Sequence, residues 1–216
     1  MEPVGRKEEL LSRIAVALRG HEANNPASGA AAGSEAAQSV TDRIARFRNM
    51  FESQGGNFLA GPSLDPLLPE LGEALRISGV TALFSPPGDE RARLVAETLV
   101  PFGPFRLASP GEIRMVSAPA SAGIQTAEFA IAETGTLVQS GQKGKTLLPG
   151  LISDVHVAIL SPAAFVDRME ECLAALSEDL PRTISFITGP SRTGDIEQTL
   201  TIGAHGPKKV IVVLLP

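Results

Sequence analysis

The stretch that decides the fold is Asp154-Val-His-Val-Ala-Ile-Leu160, a run of β-branched and aliphatic residues interrupted only by one histidine. A second run of this kind, Val210-Ile-Val-Val-Leu-Leu215, lies near the end of the chain, and a shorter one covers residues 80–84. Runs that are apolar at nearly every position predict strands buried on both faces, which is typical of parallel sheets.

Helical patterns alternate with these runs. The helices are predicted from apolar residues at helical spacing over 41–53, 64–77, 89–99 and 162–178. The remaining elements are predicted as a hairpin over 126–139, a strand over 183–187 and a loop, 189–195, that opens a short helix. This alternation predicts an α/β fold with a mainly parallel sheet covered by helices.

The first part of the chain has a different pattern. Apolar residues at helical spacing predict a helix over 6–20, and an Ala-, Gly- and Ser-rich stretch to about Ser39 predicts a mobile linker. A length of 216 residues favours one main domain. We therefore divide the chain into an N-terminal helix with its linker, 1–35, and one domain, 40–216.

Composition excludes several functions. A net charge of -5 and an aromatic content of 4% argue against nucleic-acid binding, which needs basic patches and stacking surfaces. Cys172 is the one cysteine, so an internal disulfide is impossible and an iron–sulfur cluster within the chain is nearly excluded. Three scattered histidines predict no metal site. Cysteine usage and the lack of a signal-like or membrane-spanning segment predict a cytoplasmic protein.

The first candidate for chemistry is an apolar stretch that contains two carboxylates, Glu128 and Glu133, and continues as Thr134-Gly135-Thr136. A carboxylate among apolar residues must be paired, hydrogen-bonded or raised in pKa, which are properties of a useful base or nucleophile. A solvent-facing glutamate beside a glycine turn explains the same pattern. Both interpretations remain open at this point.

The second candidate is Thr188-Gly-Pro-Ser-Arg-Thr-Gly-Asp-Ile-Glu197, which follows a predicted strand. Small residues at a helix N-terminus predict an anion-binding loop, because free backbone N–H groups and the helix dipole favour negative charge. Arg192 suits a bidentate clamp on an anion, and Asp195 suits a helix N-cap. A capped turn without chemical consequence is the alternative.

The histidines and the cysteine receive separate interpretations. His205 lies in Gly203-Ala-His-Gly-Pro207, where it suits acid–base work near neutral pH, although a turn histidine bonded to backbone is the simpler alternative. His156 is predicted to be a satisfied core or interface histidine. Cys172 is predicted to be a small buried hydrophobe on a helix face.

In their order along the chain, these motifs resemble the LUD domain of the lactate utilization protein C family. The matching segments are Ala132–Thr136, Leu148-Pro149, His156, Gly189–Glu197 and Gly203–Pro207. The resemblance covers about residues 115–216 strongly and 40–114 by architecture alone. The chain departs from the family at Arg192 and Gly194, where Lys and Ala are often found.

The resemblance implies a fold similar to the superfamily of glucosamine-6-phosphate deaminase, ribose-5-phosphate isomerase and CoA transferases. It also implies that the chain is one component of a three-protein system that oxidises L-lactate to pyruvate. Iron–sulfur partner proteins are expected to carry the electrons, and no cofactor is expected in this chain.

As a hypothesis, Glu133 and His205 are catalytic and the two neighbouring motifs bind a small carboxylate- or phosphate-bearing ligand. The predicted ligand-binding residues are Thr134, Gly135, Thr136, Gly189, Pro190, Ser191, Arg192, Thr193, Asp195 and Glu197. Two alternatives come from other classes of function. One is a non-catalytic ligand-binding or assembly module with residues 1–35 as its docking arm, and the other is a stand-alone CoA or acyl transferase with Glu133 as nucleophile.

Overall fold

The computed structural model describes residues 40–109, 112, 121–141, 146–194, 200–202 and 206–216. The helices are α1 (Val40–Ser53), α2 (Leu68–Ile77), α3 (Glu90–Leu99), α4 (Leu148–Ile152) and α5 (Met169–Ser177), with short 3-10 turns at Asp65–Leu67, Val100–Phe102 and Pro162–Ala164. The strands are β1 (Asn57–Ala60), β2 (Ala82–Phe84), β3 (Arg106–Leu107), β4 (Ser121–Thr126), β5 (Phe129–Ile131), β6 (Thr136–Ser140), β7 (Val155–Leu160), β8 (Phe165–Val166), β9 (Ile184–Ile187), β10 (Arg192–Gly194), β11 (Leu200–Ile202) and β12 (Lys209–Leu214).

Six strands form the main sheet in the order β1-β12-β7-β4-β2-β3, and every neighbouring pair is parallel. The two long apolar runs are its neighbouring interior strands β7 and β12, which are buried almost throughout. A second, mixed sheet has the order β8-β5-β6-β9. The predicted α/β fold with a mainly parallel sheet is confirmed.

The elements are stacked in layers. Helices α2 and α3 cover one face of the main sheet with an aliphatic cluster that includes Leu71, Leu99 and Ile124. The other face packs against the second sheet and α1, through residues such as Phe47, Leu137 and Val212. Helix α5 covers the outer face of the second sheet. The second sheet is therefore buried between the main sheet and α5.

Helix α1 is fixed between the two sheets by aromatic and ionic contacts. The Phe47 ring lies 5.4 Å from Phe51, 6.1 Å from Phe58 and 5.3 Å from Phe165, measured between ring centroids. Arg43 and Arg46 also donate to the Asp167 carboxylate, at 2.9 and 2.8 Å. These contacts fix α1 relative to β1, to β8 and to the loop after β8.

Asp89 joins two elements at the carboxyl ends of the main strands. It caps α3 by accepting a hydrogen bond from the Ala92 backbone N–H at 3.1 Å. It also accepts from the backbone N–H and the hydroxyl of Thr126, at 2.8 and 2.7 Å, and its side chain is buried. The connections leave β2 and β4 in opposite directions along the sheet, so Asp89 lies at the topological switch point.

One predicted helix and one predicted loop differ in part from the structure, and residues 195–199, where the short helix after that loop is predicted to begin, lie outside the described residues. The helix predicted over 162–178 begins only at Met169, because Pro162 starts a 3-10 turn and Phe165-Val166 pair with Ala130-Ile131 as a strand. The predicted 189–195 loop before a short helix instead contains a strand, Arg192–Gly194, which pairs antiparallel with Leu200–Ile202. In both places strand pairing overrides the local pattern.

Other predicted elements are close to those observed. Helix α1 begins at Val40, one or two residues earlier than expected, and α3, β7 and β12 match their predicted ranges within one or two residues. The 126–139 stretch is a hairpin of β5 and β6. The predicted helix over 6–20 and the linker lie outside the described residues.

Candidate functional site

The Thr134-Gly135-Thr136 motif forms the tight turn between β5 and β6. Gly135 has a φ of +67°, and its N–H donates to the Ile131 carbonyl oxygen at 3.0 Å. A Cβ atom at this position would lie 2.6 Å from the backbone N of Phe51. Both the backbone angle and the close approach of α1 therefore require glycine here.

Three threonine hydroxyls connect this turn to the second motif. Thr134 Oγ1 and Thr136 Oγ1 are 2.7 Å apart, and Thr136 Oγ1 and Thr188 Oγ1 are 2.8 Å apart. Gly189 follows with a φ of +79°, and a Cβ there would lie 2.9 Å from the Gln54 carbonyl oxygen. Both motifs thus contact the C-terminal end of α1.

Arg192 and Ser191 extend the contact. Arg192 Nη2 donates to the Gln54 carbonyl oxygen at 2.6 Å, just beyond the end of α1. The Ser191 N–H donates to the Pro207 carbonyl oxygen at 2.8 Å, and a Cβ on Gly206 would lie 3.3 Å from Ser191 Oγ. The third motif therefore lies beside the second.

We call this assembly the motif cluster, and it consists of 134–136, 188–192 and 206–207 around the C-terminal end of α1. It lies beside the starts of β1 and β12, at the amino edge of the main sheet. Residues distant in sequence but singled out by their motifs thus meet at one place.

A family model, described as the LUD domain, matches residues 83–215 and includes all three motifs. The chain belongs to the LUD domain family. Among similar proteins, the lactate utilization protein C of an Exiguobacterium species is 37% identical over 112 residues, which are 49% of this chain and 49% of that protein. The lactate utilization protein C of Bacillus subtilis is 32% identical over 102 residues, 44% of this chain and 42% of that protein.

This LUD domain chain spans about half the length of the curated relatives it matches. A solved structure, a DUF162 family protein from Deinococcus radiodurans, superposes with a TM-score of 0.54 at 17% identity, covering 82% of this chain and 99% of that one. This likeness supports the fold alone. The resemblance inferred from the motifs is confirmed.

Glu133 of the LUD domain lies at the start of the turn, and its side chain is exposed. Its backbone N–H donates to the Asp167 carbonyl oxygen at 3.1 Å. Of the two interpretations left open, the structure shows the solvent-facing glutamate beside a glycine turn. The half-buried Glu128 instead accepts a hydrogen bond from the Ser140 N–H at 2.9 Å.

The remaining predicted site residues are placed only in part. Asp195, Glu197 and His205 lie outside the described residues. Thr193 pairs through its backbone with Thr201 in the β10–β11 ladder, and its side chain is likewise outside what the structure describes. Whether these residues join the motif cluster stays a prediction.

A cavity of about 550 Å³ lies next to the motif cluster at the amino edge. Gly55 borders both, because a Cβ on Gly55 would lie 3.2 Å from Arg192 Nη2. Lys208 and Lys209 line the cavity, and Lys208 Nζ forms a 3.0 Å ion pair with Asp154. Two lysines and one aspartate give this cavity a positive balance that suits a small anion.

His156 is fully buried between the sheets, and only half of its hydrogen-bonding capacity is used. Its Nδ1 lies 3.1 Å from the Gly123 carbonyl oxygen, whereas its Nε2 has no partner within the described part of the chain. Burial lowers the pKa of His156 to about 4, against the smaller opposing effect of the Gly123 contact. The predicted core position is confirmed, and among the described residues only Nδ1 has a hydrogen-bond partner.

Cys172 is buried on the inner face of α5, as predicted. Burial, with a contribution from the Glu128 charge, raises the pKa of its thiol to about 11. A thiol with this pKa is unreactive at neutral pH, because the thiolate is the nucleophile.

Within the described ranges, no group of three or more His, Cys, Asp and Glu side chains is arranged to hold a metal ion. No helix in the part of the chain that the structure describes is long and apolar enough to cross a membrane.

Sequence reasoning missed several residues of the cluster and cavity. Thr188 opens the second candidate segment but is not among the predicted ligand-binding residues, whereas Lys208 directly follows Pro207, so extending the third motif by one residue would have found it. No sequence pattern singles out Gln54 and Gly55, because their contacts with the motif cluster and the cavity depend on where the C-terminal end of α1 lies in the fold.

Proposed function

We propose that this chain is a component of a multi-protein system that oxidises L-lactate to pyruvate, with iron–sulfur partner proteins carrying the electrons. The observation that carries the proposal is the meeting of the three LUD motifs beside a lysine-lined cavity. The names of the similar proteins supply the link to lactate.

In this proposal the cavity at the amino edge binds a small carboxylate or phosphate group. Lys208 and Lys209 provide the positive charge, and the exposed Glu133 provides a carboxylate on the neighbouring turn. A single cysteine, which is buried, supports partners as the carriers of iron–sulfur clusters. A cytoplasmic location and a relation to the isomerase and CoA-transferase superfamily belong to the same proposal.

The first test is an affinity purification of the tagged chain from native cells grown on L-lactate. We expect brown, cluster-containing proteins to co-elute with lactate-oxidising activity, while the purified chain alone is colourless and inactive. The matched control is a purification from cells grown on pyruvate. Elution of the chain alone, with no activity gained by adding candidate partners back, would contradict the proposal.

A non-catalytic ligand-binding or assembly module is the second candidate. It is favoured by the contacts of the motif side chains, since Arg192 bonds a backbone carbonyl and the threonine hydroxyls bond one another. The third candidate, a stand-alone CoA or acyl transferase, is favoured by the exposure of Glu133.

Glu133→Gln separates these candidates. The substitution keeps the shape of the side chain and removes its charge and its nucleophilicity. In the transferase it should abolish turnover, whereas in a module it should leave lactate oxidation by the reconstituted system unchanged. Glu52→Gln, an exposed glutamate near the end of α1, is the matched control, and lactate oxidation and CoA transfer are assayed for both variants.

A further inference from the structure

Three polar side chains lie between the two sheets and form what we call the interlayer cluster: Gln125, Gln139 and His156. Each is at most 1% exposed. In the β4–β7 register, Gly123 is opposite His156 and Gln125 is opposite Ala158, so Gln125 and His156 share one face of the main sheet. Ala158 packs with Leu137 of the second sheet, which identifies that face as the one between the sheets.

Gln139 approaches His156 from the opposite sheet. It lies two residues beyond Leu137 on β6 and therefore shares its face. A Cβ on Gly150 would lie 2.8 Å from His156 Cε1 and 3.2 Å from Gln139 Oε1. Both side chains therefore converge on the backbone of α4, which closes this part of the interlayer space.

Most of the polar atoms in this cluster have no hydrogen-bond partner among the residues that the structure describes. The unpaired atoms are Gln125 Nε2, Gln125 Oε1, Gln139 Nε2 and His156 Nε2. Buried polar groups in proteins are almost always hydrogen-bonded, and groups without a protein partner commonly bond an ordered water or a ligand. Several such atoms on the facing surfaces of the two sheets therefore indicate a bound polar group between them.

The chemistry of the atoms restricts that group. A carbonyl oxygen only accepts, so the contact with Gly123 places the ring proton on His156 Nδ1 and makes Nε2 an acceptor. The amide nitrogens of Gln125 and Gln139 are donors. The bound group must therefore both donate and accept, and none of the three side chains supplies a cation to balance a buried anion.

We propose that the interlayer cluster binds an uncharged hydroxyl group of a small molecule. The hydroxyl donates to His156 Nε2, and its oxygen accepts from the amide N–H groups of the two glutamines. Water has the same hydrogen-bonding chemistry, so the experiment must separate a hydroxylated ligand from water. This site is distinct from the cavity at the amino edge and does not depend on the proposed function.

The test follows the His156 ring in protein labelled with ¹⁵N-histidine. Two probes share a CH₃–CH(OH) skeleton: (S)-propane-1,2-diol is uncharged, and L-lactate carries a carboxylate. We expect the diol to shift the His156 Nε2 resonance saturably, and lactate to bind at this nitrogen at least about tenfold more weakly.

Gln139→Leu is the test variant, and Ser140→Ala is its matched control. Both remove an unpaired buried polar group from β6, but Ser140 points to the opposite face of the strand. We expect Gln139→Leu to weaken the diol-induced shift about tenfold and Ser140→Ala to leave it unchanged. If Gln139→Leu fails to fold, Gln125→Leu makes the same test.

Two outcomes would overturn this proposal. If the Nε2 resonance shows contact with water and does not respond to the diol, the cluster is a hydration site alone. If lactate shifts Nε2 as strongly as the diol does, the requirement for an uncharged group is wrong.

Discussion

Gly135 is the residue where the packing between the motif turn and α1 is tightest. Any Cβ there meets backbone atoms of Met50 and Phe51 at 2.6 to 2.9 Å, and backbone cannot move aside as a flexible side chain can. The residue also holds a left-handed conformation that L-residues adopt only at a cost. Two separate penalties therefore act at one position.

We expect Gly135→Ala to lower the free energy of unfolding by about 2 to 4 kcal/mol. Gly79→Ala is the matched control, because Gly79 has a similar φ of +73° but a Cβ there would meet no neighbouring atom within 4 Å. The control should cost about 1 kcal/mol, the conformational penalty alone. Urea unfolding of both variants measures the difference, and equal losses would show that contact with α1 does not matter.

At the residue scale, the sequence predicts that Gly135 lies in a turn, but it does not decide whether the Glu133 side chain is buried or exposed. Thr134-Gly135-Thr136 is a turn because of local preferences that do not depend on the rest of the chain. The exposure of Glu133 depends on which way the hairpin faces, and the apolar neighbours in the sequence point into layers away from it. Sequence neighbours of a strand residue do not reveal its own surroundings, because alternate side chains face opposite sides.

At the element scale, Asp89 connects α3 to β4 at the switch point of the main sheet. Asp89→Ala removes the cap of α3 and leaves the half-buried N–H of Thr126 without its partner. We expect a loss of about 2 to 4 kcal/mol, the sum of a lost cap and an unsatisfied half-buried donor. Glu90→Ala, an exposed neighbour on the same helix, is the control and should change stability by less than about 1 kcal/mol.

Thermal or urea unfolding checks this prediction, with helical circular dichroism as a second measurement. Asp89→Asn should lie between the wild type and Asp89→Ala, because an amide keeps one acceptor oxygen. A loss for Asp89→Ala no larger than that for Glu90→Ala would mean that the link to Thr126 contributes little.

The same scale shows why some elements were predicted and others were not. Strands β7 and β12 carry long apolar runs, and helix α3 carries a long helical pattern. In all three the local preference agrees with the tertiary contacts. Phe165-Val166 and Arg192–Gly194 are strands of two or three residues whose existence depends on partners elsewhere in the chain. Elements this short leave no periodicity in the sequence, so pairing alone determines them.

At the scale of the whole molecule, the sequence shows the order of the motifs but not the place in the fold where they come together. The Gly189 loop was expected to bind an anion at a helix N-terminus, as loops after the carboxyl ends of parallel strands often do. Instead it follows β9 of the second sheet and contacts the C-terminal end of α1 at the amino edge of the main sheet. The sequence determines which residues belong to the family motifs, whereas the arrangement of the layers determines at which edge of the main sheet those residues lie.

The layer arrangement also makes the stability of the whole domain depend on pH through His156. Burial lowers the folded-state pKa to about 4, below the value near 6.5 expected in the unfolded chain. The unfolded state therefore binds more protons between these values, so this stabilisation is complete above pH 6.5 and is lost as the pH falls toward 4.

We expect a loss of about 2 kcal/mol between pH 7.5 and pH 5 from this residue. Urea unfolding at both pH values measures it in the wild type and in His156→Gln, which has no ring to titrate. The wild type should lose about 2 kcal/mol more than the variant over this interval, and equal losses would mean that His156 is not held neutral between the sheets.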